Sequence, residues 1–327
     1  MTGDRGRESG TAGTGRKPVV SVVIPCGGDL RTLPTQLAAL VSQVPGPAVE
    51  VLVVNNGAPG DLDALAEQFP DPPFELRTVD ATDRRGSSYA RNVGAHAARC
   101  ELLMFCDADD VVSTSWVLEG VRAFTVGPVW SGVAVALPDR AFHGGPGPVQ
   151  ALIDPTGEEP PAVPDTPERP TVLLGGNFGM TRRLFHDLGG FDVSVPHHGD
   201  DNDLAARVRL AGFRIPHVLS VRIAYRQAEG AANAFRQAYA DSVAATLLAV
   251  RTDPEVPALR ALAAAGIPVL RALGFPAGML LRRQWEPVAL VTRWCHVLGA
   301  LDGALRYRVL HRVPPRKPGV GLDAPQS

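Results

Sequence analysis

The sequence predicts an α/β protein, with a Rossmann-like, mostly parallel sheet flanked by helices and a helical C-terminal region after it. Three observations lead there. As far as Leu137, apolar runs ending in turn residues alternate with stretches of helical spacing, an order that builds parallel sheets with right-handed crossovers. One run, Leu102-Leu-Met-Phe-Cys106, is continuously apolar, as suits a strand covered on both faces. From Ala231 onward the composition turns to Ala, Leu, Val and Arg without strand alternation.

Val19 to Ile24 is rich in β-branched residues and closes on Pro25, which marks a first core strand. Leu33, Leu37, Leu40 and Val41 give Leu30 to Val44 one apolar helical face. Glu50 to Val54 forms a second strand that ends in the turn Asn55-Asn-Gly57, and Asp61 can cap a helix over Leu62 to Phe69. Phe74 to Val79 is a weaker third strand. Arg84-Arg-Gly86 leads into a helix that runs through Ala98, directly before the apolar run at Leu102. Val129 to Leu137 reads as another strand. Between Pro138 and Pro170 the chain is rich in Pro, Gly and acids with few apolar anchors, so a long mobile loop is expected. Order resumes at Leu173 to Met180, and Thr181 to Leu188 forms a short helix ended by Gly189-Gly190. A helix from Asp200 to Ala211 is terminated by Gly212. Helices over Ala231–Val250, Val256–Leu273 and Val288–Leu310 are expected, broken at Pro254, Pro276 and Pro287. The expected organisation is a disordered tail over 1–17, a sheet domain over 18–228, a helical region over 229–313 and a disordered tail over 314–327.

At 327 residues the chain can bury a large core in one or two domains. Its formal charge of −2 and 20% charged residues, with few basic clusters before the C-terminal third, give no argument for nucleic acid. A small molecule is the expected partner. Cys26, Cys100, Cys106 and Cys295 show neither a Cys-x-x-Cys pair nor zinc spacing, which fits a reducing cytoplasm. Met1 to Lys17 lacks the apolar core of a signal peptide. Arg251, Arg260, Arg271 and Arg282 interrupt the apolar C-terminal region, so no membrane span of ~18 uncharged residues is expected. Arg282, Arg283, Trp285, Arg293, Trp294, Arg306, Arg308 and Arg312 make that region basic and aromatic. It could cap the sheet domain or touch an anionic membrane peripherally, at the inner face.

The chemistry concentrates where the apolar run ends, in Asp107-Ala-Asp109-Asp110. Ligands of such sheets gather at the carboxyl ends of strands, and two carboxylates one residue apart can hold a hard, partly hydrated cation that also binds phosphates. The same acids could instead form a turn or cap. An EF-hand is excluded, because Val112 and Leu118 stand where its glycine and bidentate glutamate belong. Arg84, Arg85 and Arg91 near a helix start could grip a diphosphate or be solvated surface arginines. Asp200, Asp201 and Asp203 crowd one helical turn, which suits either the helix dipole or a general base.

Taken in order, these pieces resemble the family 2 inverting glycosyltransferases of the GT-A fold, over roughly Val19 to Arg226. Val20-Ser-Val-Val-Ile-Pro25 is similar to the family's opening strand, Asn55-Asn-Gly57 to its Asp-Asp-Gly turn, Ala90-Arg-Asn92 with Gly94 to its Ala-Arg-Asn helix, and Asp107-Ala-Asp109-Asp110 to its Asp-x-Asp metal motif. Gly189-Gly-Phe-Asp192 and Gly199-Asp-Asp201-Asn-Asp203-Leu204 resemble its two later signatures. The resemblance implies a nucleotide-diphosphate sugar donor with Mg2+ or Mn2+, and transfer with inversion to a glycan, lipid-linked or small-molecule acceptor. It makes Asp201 the catalytic base, Asp107 and Asp109 the ribose and metal ligands, and Pro25, Asn56, Asp83 and Arg91 the pocket lining. Gly176, Asn177 and Asp200 would face the acceptor. Asn55 and Asn56 stand where the family has acids, Gly27 where an aromatic often stacks on the base, Arg84 where an asparagine is common, and Asp200 where a glutamate is usual. A nucleotidyltransferase would need a basic loop after the first strand, which Pro25-Cys-Gly-Gly-Asp29 lacks. A non-catalytic nucleotide-sugar scaffold sits poorly with both Asp109 and Asp201.

Overall fold

Strand β1 (Val20–Cys26) is buried along its whole length and is the centre from which the sheet is laid out. It pairs in parallel with β2 (Val49–Asn55) on one side and β4 (Leu102–Cys106) on the other. β3 (Glu75–Asp80) continues the parallel set beyond β2. Past β4 come β7 (Asn177–Thr181), antiparallel to it, then β6 (Val129–Pro138), β8 (His217–Gln227) and the two-residue β5 (Val111–Val112), giving the order β3-β2-β1-β4-β7-β6-β8-β5. The computed structural model describes residues 16–155, 162–166, 171–196, 198–227, 230–253 and 287–323.

Helices α1 (Leu33–Val41), α2 (Leu62–Ala66), α3 (Ser87–Ala97) and α4 (Trp116–Ala123) are the crossovers between these strands. α2 is capped as expected, with Asp61 accepting from the N–H groups of Asp63 and Ala64. α3 lies so close to the sheet that a Cβ at Gly94 would come within 2.5 Å of Val23 and 2.7 Å of Val54. Only glycine permits that approach. Two apolar layers cover the sheet, one around Leu33, Leu37, Met104 and Trp116, the other around Val93, Phe105, Phe178 and Phe185. Within this core Glu50 is fully buried, accepting from Ser21 Oγ at 2.5 Å, the Arg99 N–H at 2.6 Å and Arg77 Nη1 at 3.1 Å.

The structure departs from two expectations. The stretch after Pro138 is not a bare loop: a 3-10 turn spans Asp139–Phe142 and α5 spans Pro146–Ile153. Phe142, Val149 and Ile153 are buried there, so three apolar anchors and a proline in the first helical turn suffice. Residues 156–161 and 167–170 of that stretch lie outside the described residues. Second, part of 314–327 packs rather than forming a loose tail. Gly319 N donates to Gly189 O, Val193 N to Lys317 O and Lys317 N to Asp192, while Leu322 is buried.

The chain divides into two compact units, one of 1–193, 204–227 and 317–327, the other of 194–203 and 228–316. Linear boundaries at 18–228 and 229–313 do not capture the exchanged segments. The helical unit contains α8 (Ala231–Thr252) and α9 (Pro287–Ala304), the latter continuing into a π-helical turn over Leu305–Val309. The helix expected over Val256–Leu273 lies outside the described residues. Val288–Val309 is long and apolar enough, by length and composition, to cross a membrane, although Arg293, Asp302, Arg306 and Arg308 interrupt it.

Candidate active site

At the carboxyl end of β4 the chain turns sharply and leaves Asp107, Asp109 and Asp110 side by side before β5 begins. Arg91, on α3 and only 5% exposed, donates from Nη2 to Asp107 Oδ1 at 2.6 Å. Its guanidinium also lies over the Phe191 ring, 5.4 Å from the centroid. A buried arginine fixed from two sides leaves Asp107 little choice of orientation.

Asp110 is buried and accepts from the Arg226 N–H at 3.1 Å. Burial, then the charges of Asp107 and Asp109, push its carboxyl well above the usual carboxylate range. Asp109 keeps solvent exposure at the rim, yet desolvation by its surroundings and the Asp107 charge raise it as well. Burial and the Asp109 charge push the Cys26 thiol, at the end of β1, up to about 11. Three acids thus share one end of the sheet, against β1.

Arg226 escaped the sequence reading. Its Nε donates to Asp109 O at 2.9 Å, its Nη1 pairs with Asp139 at 2.5 Å, and its guanidinium sits 4.1 Å from the Phe142 ring centroid. It ties the acid turn to the 3-10 turn that follows β6. Nothing local in the sequence marks an arginine at a strand end for such a role.

Gly176 presses its backbone against this turn: a Cβ there would lie 2.6 Å from Asp107 Oδ2 and 3.4 Å from Asp110 Oδ2. Asn177, expected to face the acceptor, instead points into the core. It is fully buried, accepts from Trp116 Nε1 at 2.9 Å and donates to Val133 O and Val221 O. Both ends of the amide are engaged, so the expectation for its side chain is corrected. Asn56 is similar, donating to Ala81 O and Arg84 O and accepting from the Gly86 N–H. That amide shapes the loop before α3 rather than offering a group to a base. Pro25 is a buried residue of β1 in register with Val54, and Asp83 is exposed.

After α6 (Arg182–Asp187), Gly189 and Gly190 adopt left-handed backbone, φ 74° and 57°, which lets Phe191 turn back into an aromatic cluster with Phe105, Phe178 and Phe185. A Cβ on Gly190 would meet Asn92 Oδ1 at 2.5 Å. Asp192, buried, receives the Lys317 N–H at 2.9 Å. The Gly-Gly-Phe-Asp signature is therefore a packing device beneath Arg91.

In the helical unit, the start of α7 (Asp200–Leu210) carries the other acids. Asp203 is 2% exposed and paired with Arg316 Nη1 at 3.0 Å. Asp200 is buried, whereas Asp201 is partly exposed. Asp203 is thus held by an arginine and closed off from solvent, whereas Asp201 is open to it in part.

Among the described residues, no group of three or more His, Cys, Asp or Glu is arranged to hold a metal ion. A sparse carboxylate set suits an ion that takes its remaining ligands from a diphosphate and water.

The family model described as Glycosyl transferase family 2 matches residues 21–189. Among curated proteins, glycosyltransferase AglE of Haloferax volcanii is 33% identical over 113 residues, 34% of this chain and 37% of that protein. The O-antigen biosynthesis protein RfbC of Myxococcus xanthus is 29% identical over 232 residues, 64% of this chain and 17% of that one. The chain thus spans well under half of the length of either relative. Among solved structures, mannosyltransferase PcManGT of Pyrobaculum calidifontis, in complex with GDP-Man and Mn2+, superposes with a TM-score of 0.59 at 22% identity, covering 92% of this chain and 90% of that one. S. aureus TarS 1–349 in complex with UDP gives 0.50 at 16% identity, covering 69% and 64%. At these identities the likeness is one of fold.

Proposed function

Because the chain belongs to glycosyl transferase family 2 and has the GT-A fold, we propose that it moves a sugar from a nucleotide-diphosphate donor to an acceptor hydroxyl, with inversion, as an enzyme of the EC 2.4 class. The observation that carries this reading is the Arg91–Asp107 pair beside Asp109 at the carboxyl ends of β1 and β4. Arg91 fixes Asp107 for the ribose, and Asp109, with Asp107, would hold Mn2+ or Mg2+ on the donor diphosphate. The cation would neutralise charge on the leaving group. Asp201 would take the proton of the acceptor hydroxyl as it attacks the anomeric carbon, and Asp200 would orient the acceptor. Gly176, whose missing side chain lets its backbone lie against Asp107, would face the acceptor. Asp83 and Pro25 would border the nucleotide.

PcManGT is bound to GDP-Man and TarS to UDP, which makes GDP- and UDP-sugars the first donors to try. The cysteines among the described residues are free thiols, which suits a reaction in the cytoplasm. Calorimetry with GDP-mannose and UDP-sugars in Mn2+ tests the reading. Donor binding is expected for the native chain and should vanish in Asp109→Ala. Unchanged affinity in that variant would overturn the metal assignment.

A further inference from the structure

Helix α9 carries apolar residues on two opposite faces. Its inner face packs on α8, where a Cβ at Gly303 would come within 2.7 Å of Thr246, and Val297 and Ala304 are buried. On the outer side Val288, Val291, Leu298, Leu301, Leu305 and Val309 are each between 40% and 55% exposed. They recur three, four or seven residues apart, which aligns them on one helical stripe about 32 Å long. Only 22% of the most apolar window here is buried inside the protein. A helix that packs on one side normally turns a polar face to water. This one does not.

The surroundings of the stripe are basic. Between Pro287 and Arg316 stand five arginines, at 293, 306, 308, 312 and 316, against one acid, Asp302, in a chain whose overall charge is −2; Arg306 pairs with Asp302 and Arg316 with Asp203. Arg293, Arg306 and Arg312 are exposed, and Trp294 is partly exposed on the same helix. Apolar side chains flanked by arginine and an indole match the boundary between lipid headgroups and acyl chains. A second copy of the chain would instead bring two basic surfaces together.

The geometry points to the outer face of α9 as a docking surface for an anionic lipid bilayer, with the helix lying in the plane of the headgroups. Val288 to Val309 embeds its stripe, and the arginines engage lipid phosphates and carboxylates. This does not depend on the sugar-transfer reading.

The test is flotation of the full chain with vesicles of phosphatidylcholine alone or mixed with phosphatidylglycerol. The native chain is expected to float with the anionic vesicles and to release as salt is raised. Leu298→Glu with Leu305→Glu should lower the bound fraction at least tenfold. Arg293→Gln and Arg312→Gln should weaken binding by about fivefold each. All four positions are solvent-exposed or nearly so, and matching circular dichroism and melting will show that the variants fold. Equal flotation on neutral vesicles, or binding that ignores the glutamates, overturns the proposal. So does failure to float, in which case light scattering will tell whether a dimer covers the stripe.

Discussion

Asn92 holds Phe191 by both ends of its amide: Oδ1 accepts the Phe191 N–H at 2.8 Å and Nδ2 donates to Phe191 O at 2.9 Å. The same Nδ2 reaches Val320 O at 2.9 Å, so the C-terminal segment closes over this joint. Phe191 in turn lies under Arg91, and Arg91 orients Asp107. Asn92→Ala leaves a buried N–H and carbonyls without their partner, and each such group costs about 1–3 kcal/mol. Chemical denaturation is expected to show a loss of about 2–4 kcal/mol, within the range of severe single substitutions. Asn92→Asp keeps the shape but not the two donated bonds, and should fall in the same direction. A loss below 1 kcal/mol for the alanine variant would mean that water replaces the amide.

Glu50 gives a second stability test. It is fully buried, with Arg77 11% exposed beside it and Ser21 and the Arg99 N–H as further donors. Removing one partner of a buried charge pair strands the other, at a cost of about 3–5 kcal/mol. Glu50→Ala should lose about that much, and Glu50→Ala with Arg77→Met should recover part of it. No recovery in the double variant would show that Ser21 and Arg99, rather than Arg77, carry the energy.

Acid titration of the β4 turn has a definite sign. Burial and the charges of Asp107 and Asp109 raise the Asp110 carboxyl above its ordinary value of 3.8, so the folded protein holds a proton that the unfolded chain has released. Stability on this account is full below the unfolded value and declines as pH rises through the folded one. In chelator-treated protein, Asp110→Asn should therefore be more stable than the native chain at neutral pH, and the difference should shrink as pH falls towards 3.8. Divalent cation should stabilise the native chain more than the variant. A variant less stable at every pH would contradict this electrostatic account.

The thiols make a simple probe of the core. Cys26, Cys100 and Cys106 are buried, and burial is the main cause that raises each of them. Thiolate is the reactive form, so these three should resist an aromatic disulfide reagent at pH 8 while the partly exposed Cys295 reacts. One equivalent is expected before unfolding and four after. Rapid modification of Cys26 would place the end of β1 in open solvent.

What the sequence disclosed follows from what side-chain order can encode. Runs rich in apolar and β-branched residues identified β1, β2 and β4, and the abrupt change from Cys106 to Asp107 located the acid turn, because a strand end is where burial stops. Direction was not encoded. Asn56 and Asn177 are polar residues beside a ligand cleft by sequence, yet their amides satisfy backbone groups in the interior. Nor was Arg226 legible, since its partner Asp139 is 87 residues away and the pairing arises only when β6 and β8 lie in register. The segment after Pro314 has no periodicity at all. Lys317 to Leu322 is held by backbone bonds to Gly189, Val193 and the Asp192 and Asn92 side chains, which a propensity reading does not detect.

The acids of α7 supply the remaining prediction. Successive residues in a helix point about 100° apart, so Asp200, Asp201 and Asp203 have different surroundings. Asp203 is buried and paired with Arg316 at 3.0 Å, which suits a structural role. Asp201 keeps partial exposure, as a base that must meet an incoming hydroxyl requires. Asp201→Asn should cut sugar transfer by roughly 100-fold or more, leave donor affinity within error and leave the melting temperature nearly unchanged. Asp203→Asn should instead lower stability, because Arg316 loses its partner, with turnover per folded molecule reduced far less. Stopped transfer in Asp203→Asn at native stability, together with an active Asp201→Asn, would reverse the assignment of the two carboxylates.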